Sequence, residues 1–161
     1  YVDWLLTVPL LLLELILVMR LCREETYSKG TKLAIASIIM IILGYPGEIS
    51  ASGDERWMWW AAAMVPFLYI VRELISGLSE SIADQPADVR GLVSNARSVT
   101  LLSWCFYPIV FILPMLGVGG LEPGEINATV QVGYTIADVI AKAGFGIMIY
   151  VIAQRKTDAG A

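Results

Sequence analysis

Histidine is absent from the 161 residues and cysteine occurs only twice, so the His and Cys spacings that hold zinc are missing. No glycine-rich phosphate loop occurs. Basic residues are also scarce. Eleven Lys and Arg stand against fifteen Asp and Glu, giving a formal net charge of -4 and a pI near 4.8, which leaves no basic face for nucleic acid. Cys22 and Cys105 lie in different segments without framework spacing and are read as a loop thiol and a packing residue rather than a disulfide. The opening run YVDWLLTVPLLLLELILVMRL has no basic n-region and no small-residue cleavage site, so it is not read as a signal peptide. It starts without an initiator Met or a helix cap, and the expectation is a fragment whose upstream part is missing. No repeat and no second domain can be found, so residues 1–161 are read as a single, partial transmembrane domain.

What is abundant is apolar surface. The chain is 57% hydrophobic with a mean hydropathy of +0.69, well beyond a typical soluble domain. Five apolar segments approach the roughly 20 residues that cross a bilayer core: Tyr1 to Leu21, Lys32 to Ile49, Trp57 to Leu78, Ser98 to Val118 and Val130 to Ala153. The runs are continuous rather than alternating, which predicts helices and not strands. Four turn-like stretches separate them: CREETYSKGT, SASGDER, SESIADQPADVRGLVSNAR and GVGGLEPGEINA. Arg20, Arg23, Lys29 and Lys32 flank the first, Arg90 and Arg97 the third, and Arg155 and Lys156 the tail, against only Arg56 in the second and none in the fourth. By the positive-inside rule the first and third loops and the C-terminus are cytoplasmic.

The costliest stretch is YTIADVIAKAGFGIMIY, Tyr134 to Tyr150, where Asp138 and Lys142 interrupt an apolar helix. A charge near the bilayer centre costs roughly 2.5–3.5 kcal/mol on insertion scales, so such residues face inward and pair. Their spacing of four sets them one turn apart on one face, where they can neutralise each other or serve one buried cofactor. In the first segment Asp3, Thr7 and Glu14 share a face, with the two carboxylates about 16 Å apart along the axis. That arrangement suits stepwise proton transfer with one acid on either side of a central group; the bland alternative is two interfacial residues at the helix ends. Pro9 should kink this helix. Gly44 and Gly47 in GYPGEIS are expected to serve helix packing, WMWW to form an interfacial aromatic belt, and Arg72 and Glu73 to mark a cytoplasmic helix end. Trp104, Tyr107 and Pro108 of WCFYP share one helical face.

Taken together, DWLLTVPLLLLE, GYPGEIS, SWCFYP and ADVIAK resemble the microbial rhodopsins, specifically the proteorhodopsin and xanthorhodopsin-like bacterial proton pumps. The resemblance runs through essentially all 161 residues and implies an all-α membrane protein comprising five helices, the third to the seventh, of a seven-helix retinal-binding bundle. It implies all-trans retinal held as a protonated Schiff base on Lys142, with Asp3 as counterion and proton acceptor and Asp138 as second counterion. Glu14 matches the cytoplasmic proton donor, and Thr7 completes the Asp-Thr-Glu triplet of outward pumps. Trp4, Trp104, Tyr107 and Pro108 match residues enclosing the polyene, with Met40 and Phe111 as further pocket candidates. Leu11 matches a colour-tuning site, where an apolar residue is similar to green-absorbing members. Trp60 stands where the carotenoid-antenna branch has glycine, which implies no carotenoid antenna.

The implied activity is a light-driven outward proton pump in a bacterial inner membrane, a transporter and not an enzyme, with a homo-oligomer expected. The alternative is a photosensor signalling to a partner protein, and a third reading is a retinal-free scaffold. The family's first two helices, the histidine that pairs with the acceptor in this branch, and the arginine preceding the position of Tyr1 fall outside the sequence.

Overall fold

The computed structural model describes residues 1–118 and 128–158. Among them no strand occurs, and helices make up five rods. Helix α1 is Val2–Val18 and α2 is Arg23–Ile49. Helix α3, Gly53–Arg72, passes through a π-helical turn, Glu73–Gly77, into the short α4, Ser79–Ala83. Helix α5, Ala87–Ile112, closes in a 3-10 turn, Pro114–Leu116. The last rod is α6, Ala128–Asp138, then a π-helical segment, Val139–Gly144, then α7, Phe145–Asp158. Three rods, Arg23–Ile49, Gly53–Ala83 and Val130–Asp158, are long and apolar enough to cross a membrane. Pro9, Pro46, Pro66 and Pro108 all lie inside helices that continue through them, as membrane helices tolerate.

The turn-like stretches are shorter than the sequence suggests. CREETYSKGT is helical from Arg23 onward: Glu24 and Glu25 occupy the first turn of α2, where the helix dipole favours acids, and Lys29 lies 3.5 Å from Glu25 one turn away. SASGDER contracts because Ser52 caps α3, its hydroxyl accepting from the Glu55 N–H at 3.4 Å. SESIADQPADVRGLVSNAR holds α4 and the first turns of α5, leaving only residues 84–86 between them. Apolarity marks what the bilayer core requires, whereas capping and charge at the ends let the helices run on into polar sequence. Most of GVGGLEPGEINA lies outside the described residues.

Helix α1 packs on α2, α2 on α3, and α5 on α6 and α7, with α7 returning to α1. Leu12, Ile16, Ile70, Leu74, Val93 and Phe145 form the fully buried centre. The opposite faces carry Val2, Leu6, Leu10 and Leu17 on α1 and Ile147 and Tyr150 on α7, all more than half exposed. Cys22 and Cys105 are free thiols, and both are exposed; Cys105 is therefore not the packing residue expected. Arg72 and Glu73 lie within the third rod, which continues past them to Ala83.

One end of the bundle is tied by a cation. Lys156 of α7, read from the sequence as a tail charge, is only 4% exposed. Its ammonium donates to the Met19 carbonyl at 3.1 Å and to the Gln85 side-chain oxygen. Gln85, between α4 and α5, in turn donates to Met19 and Ser81 carbonyls at 3.1 Å each. Arg20, with φ of 50°, turns the chain sharply just after Met19.

Gly47 sets the approach of α2 to α3 and α5. A Cβ there would stand 2.8 Å from Trp59 Cβ and 2.9 Å from Phe111 Cζ, whereas at Gly44 the nearest atoms, on Tyr1, are at an ordinary 3.5 Å. Gly47→Ala is therefore expected to destabilise by about 1–3 kcal/mol, the usual effect of overpacking. Gly44→Ala should be close to neutral, and thermal unfolding in detergent compares the two.

Candidate functional site

The first and last rods meet at Lys142. Its ammonium donates to the Asp3 carboxylate of α1 and, at 3.3 Å, to Asp138 Oδ2 one turn earlier on its own rod. The π-helical segment carries Lys142, while Asp138 closes α6. Asp138 also accepts from the Trp4 indole N–H, at 3.0 and 3.2 Å to its two oxygens, and from the Tyr107 hydroxyl. One ammonium, two carboxylates and two neutral donors thus form a connected group drawn from α1, α5 and the last rod. Lys142 and Asp138 keep 26% of their side-chain area exposed, and Asp3 keeps 60%.

The ammonium stands in the wall of a partly open apolar cavity. Trp4, Leu11, Met40, Trp60, Trp104, Tyr107, Pro108 and Phe111, all named from the sequence, line it together with Asp138 and Lys142. The helical spacing explains several of these. Trp104, Tyr107, Pro108 and Phe111 fall at successive turns of α5, and Trp4, Val8 and Leu11 do the same on α1. Trp60 donates its indole N–H to the Pro108 carbonyl at 3.2 Å, a carbonyl of an α-helix with a proline within it. Trp57 packs edge-on to Trp60, so WMWW is divided: Trp57 and Met58 are exposed, as a belt requires, and Trp59 and Trp60 turn inward.

Three named residues lie apart from the cavity wall. Asp3 reaches only the ammonium. Thr7 donates to the Asp3 backbone carbonyl at 2.9 Å, not to its carboxylate. Glu14, expected in low dielectric among leucines, is exposed and makes no side-chain hydrogen bond or ion pair with the described residues. The reason is the face it shares: Asp3, Leu6, Leu10, Glu14 and Leu17 follow one stripe of α1 that no described helix covers.

The lining residues that the sequence reading missed include Tyr1, Met64, Phe67, Tyr134 and Ala141. Ala141 adjoins the lysine. Met64 lies one turn beyond Trp60, and Tyr134 one turn before Asp138, so helical spacing from the named residues could have found both. Phe67 sits a further turn along α3, and nothing in the sequence sets it apart from its apolar neighbours.

The sequence and the fold recur in known proteins. The family model for bacteriorhodopsin-like proteins matches residues 1–155. The chain belongs to the bacteriorhodopsin-like family. It superposes on the crystal structure of xanthorhodopsin, a light-driven ion pump with dual chromophore, with a TM-score of 0.90 and 45% identity over 99% of this chain and 63% of that one. A bacteriorhodopsin-II-like protein of Haloquadratum walsbyi is 36% identical over 92% of this chain and 58% of its own length. Sensory rhodopsin III of Haloarcula marismortui is 32% identical over 94% of this chain and 61% of its length. The chain thus spans about three fifths of the relatives it matches. It is an all-helical, multi-pass membrane protein, and its rods are part of the family's seven-helix bundle.

The mutual dependence of the charges yields a test without any ligand. Lys142→Met in the apoprotein leaves Asp3 and Asp138 facing each other without their cation, and is expected to lower stability by about 1–3 kcal/mol. That is below the 3–5 kcal/mol of a fully buried pair because both partners are partly exposed. Adding Asp138→Asn should restore part of the loss, as read from thermal unfolding of the single and double variants.

Proposed function

We propose that this chain carries the retinal site and proton-transfer groups of a light-driven outward proton pump. The observation that carries this reading is the Lys142 ammonium held between Asp3 and Asp138 in the wall of an apolar cavity. The residues fit a retinal chromophore, which the family implies. The cavity lining is aromatic and aliphatic, and Lys142 carries the one amino side chain among the described lining residues. All-trans retinal, bound as a Schiff base on Lys142, would supply light absorption and a change of shape on isomerisation.

The chain's own residues supply the rest. Asp3 and Asp138 balance a positive charge at Lys142 Nζ. Asp138 is held by Trp4 and Tyr107 and by its own helix, so it is the fixed counter-charge. Asp3 has no other side-chain partner among the described residues and is the carboxylate free to take the proton from Lys142 Nζ. Glu14, eleven residues along the same stripe, is the group that returns a proton to that nitrogen from the other side. Trp4, Trp104, Tyr107 and Pro108 exclude water from the polyene and hold it against rotation, while Leu11, Met40 and Phe111 complete an apolar wall suited to green absorption. Trp60 fills the flank where a carotenoid ring would rest, so no antenna binds. The orientation follows the basic residues: Asp3 toward the outside, Glu14 and the C-terminus toward the cytoplasm of a bacterial cell, in the inner membrane, as a homo-oligomer.

A second reading, a photosensor on the same scaffold, is favoured by the kinship with a sensory rhodopsin.

Illuminated cells expressing the complete protein with retinal are expected to acidify their medium, an effect abolished by a protonophore. Asp3→Asn should remove the acidification. Glu14→Gln should slow turnover by about 10²–10⁴-fold, the usual contribution of a positioned proton-transfer group. Colour without any pH change, and a photocycle insensitive to Glu14→Gln, would move the assignment to the sensor. A visible band should form with all-trans retinal and vanish in Lys142→Ala; failure to form it would remove both readings.

A further inference from the structure

Glu48, near the end of α2, is a second carboxylate held by the cavity wall and used by nothing above. Its Oε2 accepts from the Tyr1 hydroxyl at 3.3 Å and the Tyr134 hydroxyl at 3.2 Å. Arg56 of α3 approaches its Oε1 at 3.8 Å and donates to its backbone carbonyl at 2.7 Å. Arg56, counted from the sequence as a loop charge, is 2% exposed, with its guanidinium 4.9 Å from the centre of the Phe111 ring and its buried Nε without a partner. An ion pair this far out of water is costly unless its geometry serves a purpose, and a purely structural tie between α2 and α3 would not need two phenols on one oxygen.

The two phenols connect Glu48 to the Lys142 centre. Tyr134 lies one turn before Asp138 on α6, about 6 Å along the axis. Its ring stacks on Tyr107, whose hydroxyl bonds Asp138, with centroids 5.9 Å apart. Trp4, which donates to Asp138, packs against Tyr1, Tyr107 and Tyr134 with centroids 4.8, 5.1 and 5.2 Å away. The two carboxylate centres therefore share one aromatic wall.

We propose that Glu48 is the outer proton-relay carboxylate of this site, taking up the proton that leaves the Asp3–Asp138 centre through the Tyr134 hydroxyl and passing it outward. The inference rests on the outward-pump reading. The transfer balances: Tyr134 gives its phenol proton to the Glu48 carboxylate as it receives one from the cavity side, by way of water, and the Glu48 acid later loses that proton to the medium. Arg56 holds the carboxylate in place and stabilises its charge before and after.

The test is time-resolved release, followed with a pH-indicating dye on the retinal-loaded complete protein in detergent after a flash. Glu48→Gln keeps the shape but cannot take a proton. It should retain the visible band and the deprotonation at Lys142 on the original timescale, while the proton reaches the dye about a hundredfold later. Tyr134→Phe, which keeps the ring and removes the relay hydroxyl, should show the same delay, and it serves if Glu48→Gln fails to fold. Dye signals in both variants that match the parent in time, with or without a lower thermal midpoint, would reduce Glu48 to a structural tie and overturn the relay alone. A parent protein that bleaches and recovers without any dye signal would overturn the pump reading and the relay with it.

Discussion

A single ammonium set between two carboxylates governs this molecule. Lys142 joins α1 to the last rod through Asp3 and holds Asp138 on its own rod, and a cation in an apolar wall needs anionic partners held in place. The surroundings follow from that demand. Asp138 needs further donors and finds Trp4 and Tyr107. Those rings must be positioned: Trp4 packs edge-on to Tyr107 and to Tyr134, and Tyr107 stacks on Tyr134. The cavity is what remains once the aromatic side chains have been committed to holding the charges. Its apolar lining and its charged wall therefore come from one arrangement.

The two ends of the bundle solve the same electrostatic problem differently. Near Tyr1, Arg56 is matched by the Glu48 carboxylate and by the face of the Phe111 ring. Near Met19, Lys156 is satisfied by carbonyl and amide oxygens without a carboxylate among the described residues. The first pairs its cation with a carboxylate, the second with neutral oxygens of the described residues.

Much of this was legible in the residues, and the physics explains which part. The fold class followed from apolar runs of bilayer length, and the family from four motifs in order. Asp138 and Lys142 were readable because a spacing of four is unambiguous on a helix, and the α5 lining because Trp104, Tyr107, Pro108 and Phe111 recur at helical spacing. Helix ends were misjudged where acids and Ser52 carry the helix into polar sequence. Arg56 and Lys156 were taken for surface charges because burial of a basic residue depends on partners from distant segments, Glu48 in one case and Met19 with Gln85 in the other. Glu14 lies on a face of α1 that no described helix covers, and its leucine neighbours in sequence point to other faces of the helix.

The π-helical segment Val139–Gly144 bears on more than the placement of Lys142. Hydrogen bonds there span one residue more than in an α-helix, so the segment stores one extra residue, equivalent to roughly 100° of rotation. The segment lies between Ala137 and Phe145, both buried. Within this rod the loss of one residue can be absorbed by tightening that turn, leaving the inward faces of α6 and α7 as they are. The segment is thus a built-in tolerance for deletion beside the residue that can least afford to be displaced.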